Sequence, residues 1–80
     1  MNIYCDLIEI IFDKAIYAIG SMCDDITGKI EIDVKTGDYR ILRQPDVHRL
    51  YDRAIESLIG KHLGGMRQGN IPTNMCREVG

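Results

Sequence analysis

The feature that most constrains the fold is the apolar stretch over residues 3–23, near the start of the chain. Its apolar residues recur at intervals of three and four positions, and its polar residues form only one narrow strip. Strict alternation, the pattern of a half-buried strand, fails at the doublets Leu7-Ile8 and Ile10-Ile11. The stretch therefore predicts a long N-terminal helix over residues 2–24. A strand is the competing interpretation over residues 3–12, because Ile and Tyr favour sheets.

A helix this apolar needs cover on two or three sides, which the rest of an 80-residue chain can barely provide. One side can face the intramolecular core, and the remaining edge would then be an exposed apolar patch of a kind that monomers seldom tolerate. Pairing this edge with its own copy is the commonest solution. The sequence therefore predicts a homodimer or higher homo-oligomer, with an interface formed by Ile3, Leu7, Ile10 and Ala18.

Residues 29–42 predict a β-hairpin, because apolar and charged residues alternate on both sides of a turn at residues 33–38. Gly37 can adopt positive φ there, and the Asp33 carboxylate can accept N–H groups of the turn. Pairing Asp33 with Asp38 gives one apolar face and one charged face. The cross-strand pairs are then Ile32 with Tyr39, Ile30 with Ile41, and Glu31 with Arg40.

A second, amphipathic helix is predicted over residues 46–63, where apolar residues follow the i, i+3, i+4, i+7 pattern. Asp46 or Gln44 can cap its start beside Pro45, and Gly64 with Gly65 fits its end. Residues 64–80 are rich in Gly and predict a C-terminal tail, which would become ordered only by docking. The residues available for docking are Ile71, Met75 and Val79.

These elements predict one α+β domain over residues 1–80, in the order long helix, β-hairpin, amphipathic helix and Gly-rich tail. Three separated cysteines and the absence of a basic leader at the N-terminus predict a reducing, cytoplasmic location. The acidic residues of the apolar stretch are too many for a membrane span. No membrane association is expected.

Catalytic and metal chemistry find little support in the sequence. The gaps between the Cys and His residues are long, whereas structural zinc sites present their ligands in close pairs. Cys5 and Cys23 are predicted to be buried thiols, since a free Cys behaves as a small hydrophobic residue. Cys76 lies in the predicted tail, which is a poor scaffold for a nucleophile and its base. The sequence therefore predicts a protein without metal or cofactor and without enzymatic activity.

Residues 60–70 are a candidate phosphate site, because they combine glycines with cationic side chains. Consecutive free N–H groups in such a loop can form an anion-binding nest. The pattern is not a P-loop, and the loop would follow the C-terminal end of a helix, where the dipole is negative. The predicted ligand-binding residues are Lys61, His62, Gly64, Gly65 and Arg67.

Arg49 and Arg53 lie one turn apart on the outer face of the predicted second helix and are candidate contacts for a partner. Asp52 and Glu56 alternate with them, and the chain has a net charge of −2, which argues against nucleic acid. The sequence predicts a small interaction protein, a regulator or inhibitor of the kind that phages and mobile elements encode. The alternatives are an oligomeric binder of a phosphate-bearing small molecule or nucleotide, and a DNA-binding repressor or antitoxin.

Overall fold

In a computed structural model that describes residues 2–22 and 24–78, five antiparallel strands form one sheet and a single helix packs on one of its faces. The sheet order is β4-β3-β2-β1-β5, so the last strand of the chain lies beside the first. The strands are β1 (Asn2–Ile11), β2 (Lys14–Gly20), β3 (Gly28–Asp33), β4 (Tyr39–Arg43) and β5 (Asn74–Glu78), and the helix is α1 (Asp52–Arg67).

The predicted N-terminal helix is wrong, because the apolar stretch forms the hairpin of β1 and β2. The doublet Leu7-Ile8, which breaks the alternation of the sequence, is a β-bulge. Leu7 pairs with Tyr17 and Glu9 pairs with Ile16, so Ile8 is an extra residue in β1. Before the bulge and after the loop, alternate side chains are buried as in ordinary half-buried strands, whereas residues 8–11 between them are all exposed.

The predicted second hairpin is confirmed, with β3 and β4 as its strands. The three predicted pairs are present, and the Arg40 and Glu31 side chains approach to 3.6 Å. Gly37 has a φ of 83°. The Asp33 carboxylate accepts the N–H groups of Lys35 and Thr36 at 2.9 and 3.1 Å, as the turn residues predict.

The helix predicted over residues 46–63 exists with different bounds, because α1 begins at Asp52 and continues through Gly64 and Gly65 to Arg67. Tyr51 rather than Asp46 is its N-cap residue. The Tyr39 hydroxyl donates a hydrogen bond of 2.8 Å to the Asp52 carboxylate, which ties the first turn of α1 to β4. The apolar face of α1 covers the sheet with Ala54, Ile55, Leu58, Ile59 and Met66.

The predicted Gly-rich tail is wrong as well, because its residues complete the helix and then form β5. Met75 is buried and Ile71 packs against the core, whereas Val79 lies outside the described residues. The buried Tyr17 hydroxyl donates a 2.6 Å hydrogen bond to the Pro72 carbonyl, and this bond holds the segment before β5 against β2.

The core lies between α1 and the face of the sheet that it covers, and the other face is open. Cross-strand partners share a face, so the open face carries a mixture of charged, small and apolar side chains. The two ends of the sheet differ in their loops. The β1–β2 and β3–β4 connections lie at one end, and the segments 21–27 and 44–51 lie at the other. The Asp25 carboxylate joins the latter two by accepting the N–H of Val47 at 3.1 Å.

Candidate interaction site

The β1–β2 connection carries the most exposed large apolar side chain of residues 2–22 and 24–78. Phe12 is 96% exposed, and three isoleucines of β1 beside it are each about half exposed. These four residues form a group of exposed apolar side chains at one end of the sheet, in which Ile10 and Ile11 lie on opposite faces. We call it the hairpin tip, and it consists of Ile8, Ile10, Ile11 and Phe12.

Phe12 occupies a backbone position that does not suit it. Ile11 pairs with Lys14, so the loop contains only Phe12 and Asp13, and Phe12 has a φ of 53°. The first loop residue of such a hairpin is usually Gly, Asn or Asp when its φ is positive. A residue with a bulky side chain destabilises the folded state there by about 1–2 kcal/mol. The hairpin therefore retains Phe12 although its conformation opposes folding.

The bulge at Ile8 is a second irregularity of the same hairpin. The extra residue shifts the register of β1 against β2, and Ile8 is 51% exposed. Bulges commonly redirect side chains near functional sites. Both irregularities of this hairpin thus present apolar side chains to solvent.

The base of the hairpin tip is held firmly by the neighbouring turn. The Val34 N–H donates a 2.9 Å hydrogen bond to the Asp13 carbonyl, and the Lys14 ammonium lies 3.0 Å from the Asp33 carboxylate. The hydrogen bond from Lys14, with those from the turn N–H groups, lowers the pKa of Asp33 to about 2. The hairpin tip therefore projects from a fixed scaffold, as a binding site requires.

The outer edge of β1 is open next to the hairpin tip. Strand β5 pairs with β1 only over residues 2–6, and one further hydrogen bond of 2.8 Å joins the Leu7 N–H to the Thr73 carbonyl. Residues 8–11 meet no strand on this side within the described part of the chain, and all four are exposed. Half of β1 is therefore an edge strand.

The charges around the hairpin tip are negative. Glu9 and Asp13 are exposed, and neither takes part in an ion pair of the described residues. The nearest cation along the chain, Lys14, is already engaged by Asp33. An apolar surface with unpaired carboxylates beside it is complementary to an apolar surface with cationic neighbours.

The structure separates the four residues predicted as an oligomer interface. Ile3 is fully buried, and Leu7 packs against the core. Ala18 pairs with Asp6 on the open face of the sheet, and Ile10 belongs to the hairpin tip. The helical edge that was to align these residues does not exist. Self-association stays a prediction, and Ile10 is the one residue of the set that belongs to the hairpin tip.

The predicted phosphate loop does not form, because Lys61, His62, Gly64, Gly65 and Arg67 all lie within α1, and ligand binding by these residues stays a prediction. Interior N–H groups of a helix bond to its own carbonyls and cannot form a nest. Two of the cationic side chains also make other contacts. Arg67 donates to the Lys35 carbonyl at 2.8 Å, and Lys61 donates to the Cys76 carbonyl at 3.5 Å.

The predicted partner residues Arg49 and Arg53 are both exposed, but they do not share a helix face. Arg49 precedes α1, and Arg53 lies in its first turn. The structure brings no ligand-binding arrangement to these two positions, and their role in partner binding stays a prediction.

The part of the chain that the structure describes contains neither a metal-binding cluster nor a disulfide bond. That part contains no group of three or more side chains able to hold a metal ion. Cys5 is buried as predicted, and this burial raises the pKa of its thiol to about 12. Cys76 is exposed, and Cys23 lies outside the described residues. Cys5 is thus a packing group.

Phe12, Ile8 and Ile11 are the site residues that sequence reasoning missed. The available signal was the run Ile10-Ile11-Phe12 followed by Asp13, which places three apolar residues at one chain reversal. That signal is weak, because no Gly or Asn marks the loop.

No protein-family model, curated protein or solved structure matches this chain. Among the described residues, no helix combines the length and the apolar character needed to cross a membrane.

Proposed function

We propose that this protein is a small, non-catalytic regulator or inhibitor that acts by binding a partner protein through the hairpin tip. The observation that carries the proposal is Phe12, a large apolar side chain that is almost fully exposed at positive φ. Strained residues in a well-supported structure are a recognised mark of functional sites.

The energetics of the hairpin tip support a role in binding rather than in folding. Its exposed side chains contribute little to the core, and the backbone of Phe12 opposes folding. In a complex, an aromatic residue alone can bury about 150–250 Å². At about 25 cal/mol per Å², the hairpin tip would contribute several kcal/mol before association costs. Phenylalanine is also among the residues that are enriched at protein interfaces.

The negative charges beside the hairpin tip favour a protein partner over the alternative partners. Glu9 and Asp13 would repel the phosphates of a nucleic acid, so the repressor alternative gains no support at this site. The small-molecule alternative gains no support from residues 61–67, because they lie within α1 and do not form the predicted loop. A second copy of the chain remains a competing occupant of the hairpin tip. A cytoplasmic location, which is part of this proposal, is supported by the free thiols of Cys5 and Cys76.

The experiment is a comparative capture from an extract of the source cells, with the immobilised wild type and its Phe12→Gly variant as baits. The variant removes the side chain and suits the positive φ, so the fold is retained. Val47→Ser is the matched control, because Val47 is 68% exposed at the other end of the sheet. We expect a protein that wild type and Val47→Ser retain and Phe12→Gly loses, with at least a tenfold weaker affinity on re-measurement with purified components.

A double variant, Arg49→Glu with Arg53→Glu, tests the predicted partner residues in the same experiment. If capture depends on these arginines and not on Phe12, the hairpin tip is not the binding site. Equal capture by wild type and Phe12→Gly would contradict the proposal in the same way.

A further inference from the structure

Building on the proposed function, we infer that the partner supplies an extended polypeptide segment, which adds to the sheet at residues 8–11 of β1. The added strand would lie end to end with β5, on the same side of β1. Strand addition to an open sheet edge is a recurrent mode of peptide recognition, in which main-chain hydrogen bonds provide affinity and alternate side chains provide specificity.

The first support is the length mismatch between β1 and β5. Strand β1 extends to Ile11, whereas β5 pairs with residues 2–6 and its approach ends with the hydrogen bond from Leu7 to Thr73. No other main-chain hydrogen bond reaches residues 8–11 from outside the hairpin in the described chain. Exposed edges of this kind are usually protected by charge, Pro or a covering loop. Here three of the four residues are isoleucines.

The second support is the direction of the main chain at Ile10. Ile11 and Lys14 flank a two-residue loop, so they form the hydrogen-bonded pair that closes it. Pairs alternate along an antiparallel ladder, so Ile10 and Ala15 form a pair without mutual hydrogen bonds. The N–H and C=O of Ile10 therefore point away from β2, towards the open edge. They are a ready donor and acceptor for an added strand.

The side chains around the edge define the chemistry of the segment. On one face of the sheet the added strand would meet Ile10, and on the other it would meet Glu9 and Ile11. The segment should therefore carry apolar residues on the face of Ile10. On the other face it should carry an apolar residue beside Ile11 and a cationic residue beside Glu9. A second copy of this chain fits less well, because it would bring its own Glu9 and Asp13 against those already present.

The experiment selects from a displayed library of random peptides long enough to span residues 8–11, with the wild-type protein as bait. Each enriched peptide is then measured against Ile10→Pro and Ile10→Thr. Proline removes the N–H that points to the open edge, and edge strands tolerate it there, whereas threonine keeps the N–H. We expect peptides with the stated alternation that bind Ile10→Pro at least tenfold more weakly than Ile10→Thr.

Amide hydrogen exchange on wild-type protein keeps the test independent of how well Ile10→Pro folds. The bound peptide should slow exchange at the Ile10 amide and leave the Leu7 amide unchanged, since Leu7 is already bonded to Thr73. An unprotected Ile10 amide in the complex, or a library without any peptide that needs this amide, would overturn the inference. So would protection of Ile10 that appears only with rising concentration of the protein alone, because the occupant would then be a second copy.

The two proposals fail in distinguishable ways. Loss of partner capture with Phe12→Gly but not with Ile10→Pro would leave the hairpin tip as the binding site and exclude strand addition. Capture that is unaffected by either variant would exclude the hairpin tip altogether.

Discussion

His62, a predicted ligand-binding residue, is half-buried in the structure. It lies in α1, and its Nε2 atom is buried without a hydrogen-bond partner among the described residues. Burial lowers the pKa of His62, and the positive charges of Lys61 and Arg77 lower it further. The neutral imidazole is therefore the form that the fold favours.

This pKa shift predicts how stability depends on pH. A base whose pKa is lower in the folded state than its ordinary value of 6.5 stabilises the fold fully above that value. Its contribution is lost as the pH falls through and below 6.5, because the unfolded chain then binds the proton more readily. The urea midpoint of the wild type should therefore fall between about pH 7.5 and about pH 5.5, and that of His62→Gln should fall less.

The carboxylates of Asp25 and Asp33 do not interfere in this window. The pKa values of Asp25 and Asp33 are lowered from 3.8, so their contributions are lost only at more acidic pH. Equal slopes for wild type and His62→Gln would contradict the assignment of the pH dependence to this residue.

Single residues also show what the sequence could predict. Asp33 and Gly37 are found in the predicted turn with the predicted roles, because their backbone preferences are local and strong. Phe12 could not be predicted as a loop residue, because nothing in its own preferences favours positive φ. The residue at the centre of the site is thus the one that departs from the local rules.

At the scale of elements, the N-terminal hairpin has the sequence pattern of a helix for two physical reasons. The bulge at Ile8 interrupts the alternation, and the loop at Phe12 lacks a turn signal, so two strands merge into one apolar stretch with intervals of three and four. Tyr17 belongs to the polar strip of the predicted helix, yet it is fully buried and bonded to Pro72. Burial of a tyrosine with one satisfied hydroxyl cannot be read from periodicity.

Helix α1 was predicted more successfully because its apolar pattern is regular. Gly64 and Gly65 predict an earlier C-terminal end than the one the structure shows at Arg67. Packing of Met66 against the core carries the helix past them. Tertiary contacts of the apolar face outweigh the weak intrinsic preferences of glycine here.

The helix supports a pair of opposite stability predictions. Leu58→Ala should destabilise the protein by about 2–5 kcal/mol, because Leu58 is fully buried between α1 and the sheet. Gly64→Ala should stabilise it by about 0.5–1 kcal/mol, since a Cβ there would meet no atom within 4 Å and Ala favours the helix. Denaturant titrations of both variants test this. A stable Leu58→Ala variant, or a destabilised Gly64→Ala variant, would contradict the placement of α1.

For the whole molecule, the order of the strands in the sheet cannot be predicted from sequence patterns. The pairing of β1 with β5 joins the two ends of the chain, and its energy depends on contacts that no local pattern records. The same arrangement covers Ile3, Cys5, Ala15, Tyr17 and Ile19 of the apolar stretch but leaves the hairpin tip exposed. The exposed surface of 4795 Å² is close to about 4,900 Å² for a compact monomer of this mass. Much of the cover that the sequence pattern assigns to a second copy thus comes from the chain itself, and self-association stays a prediction.

The proposed function requires that the hairpin tip contribute to contact with a partner and not to folding of the chain. The most direct measurement is the free energy of unfolding of wild type, Phe12→Ala and Phe12→Gly by urea titration. We predict that Phe12→Ala unfolds near the wild-type midpoint and that Phe12→Gly unfolds at an equal or higher midpoint, because glycine relieves the positive φ. A loss of about 3–5 kcal/mol in both variants, as for a buried phenylalanine, would contradict the account.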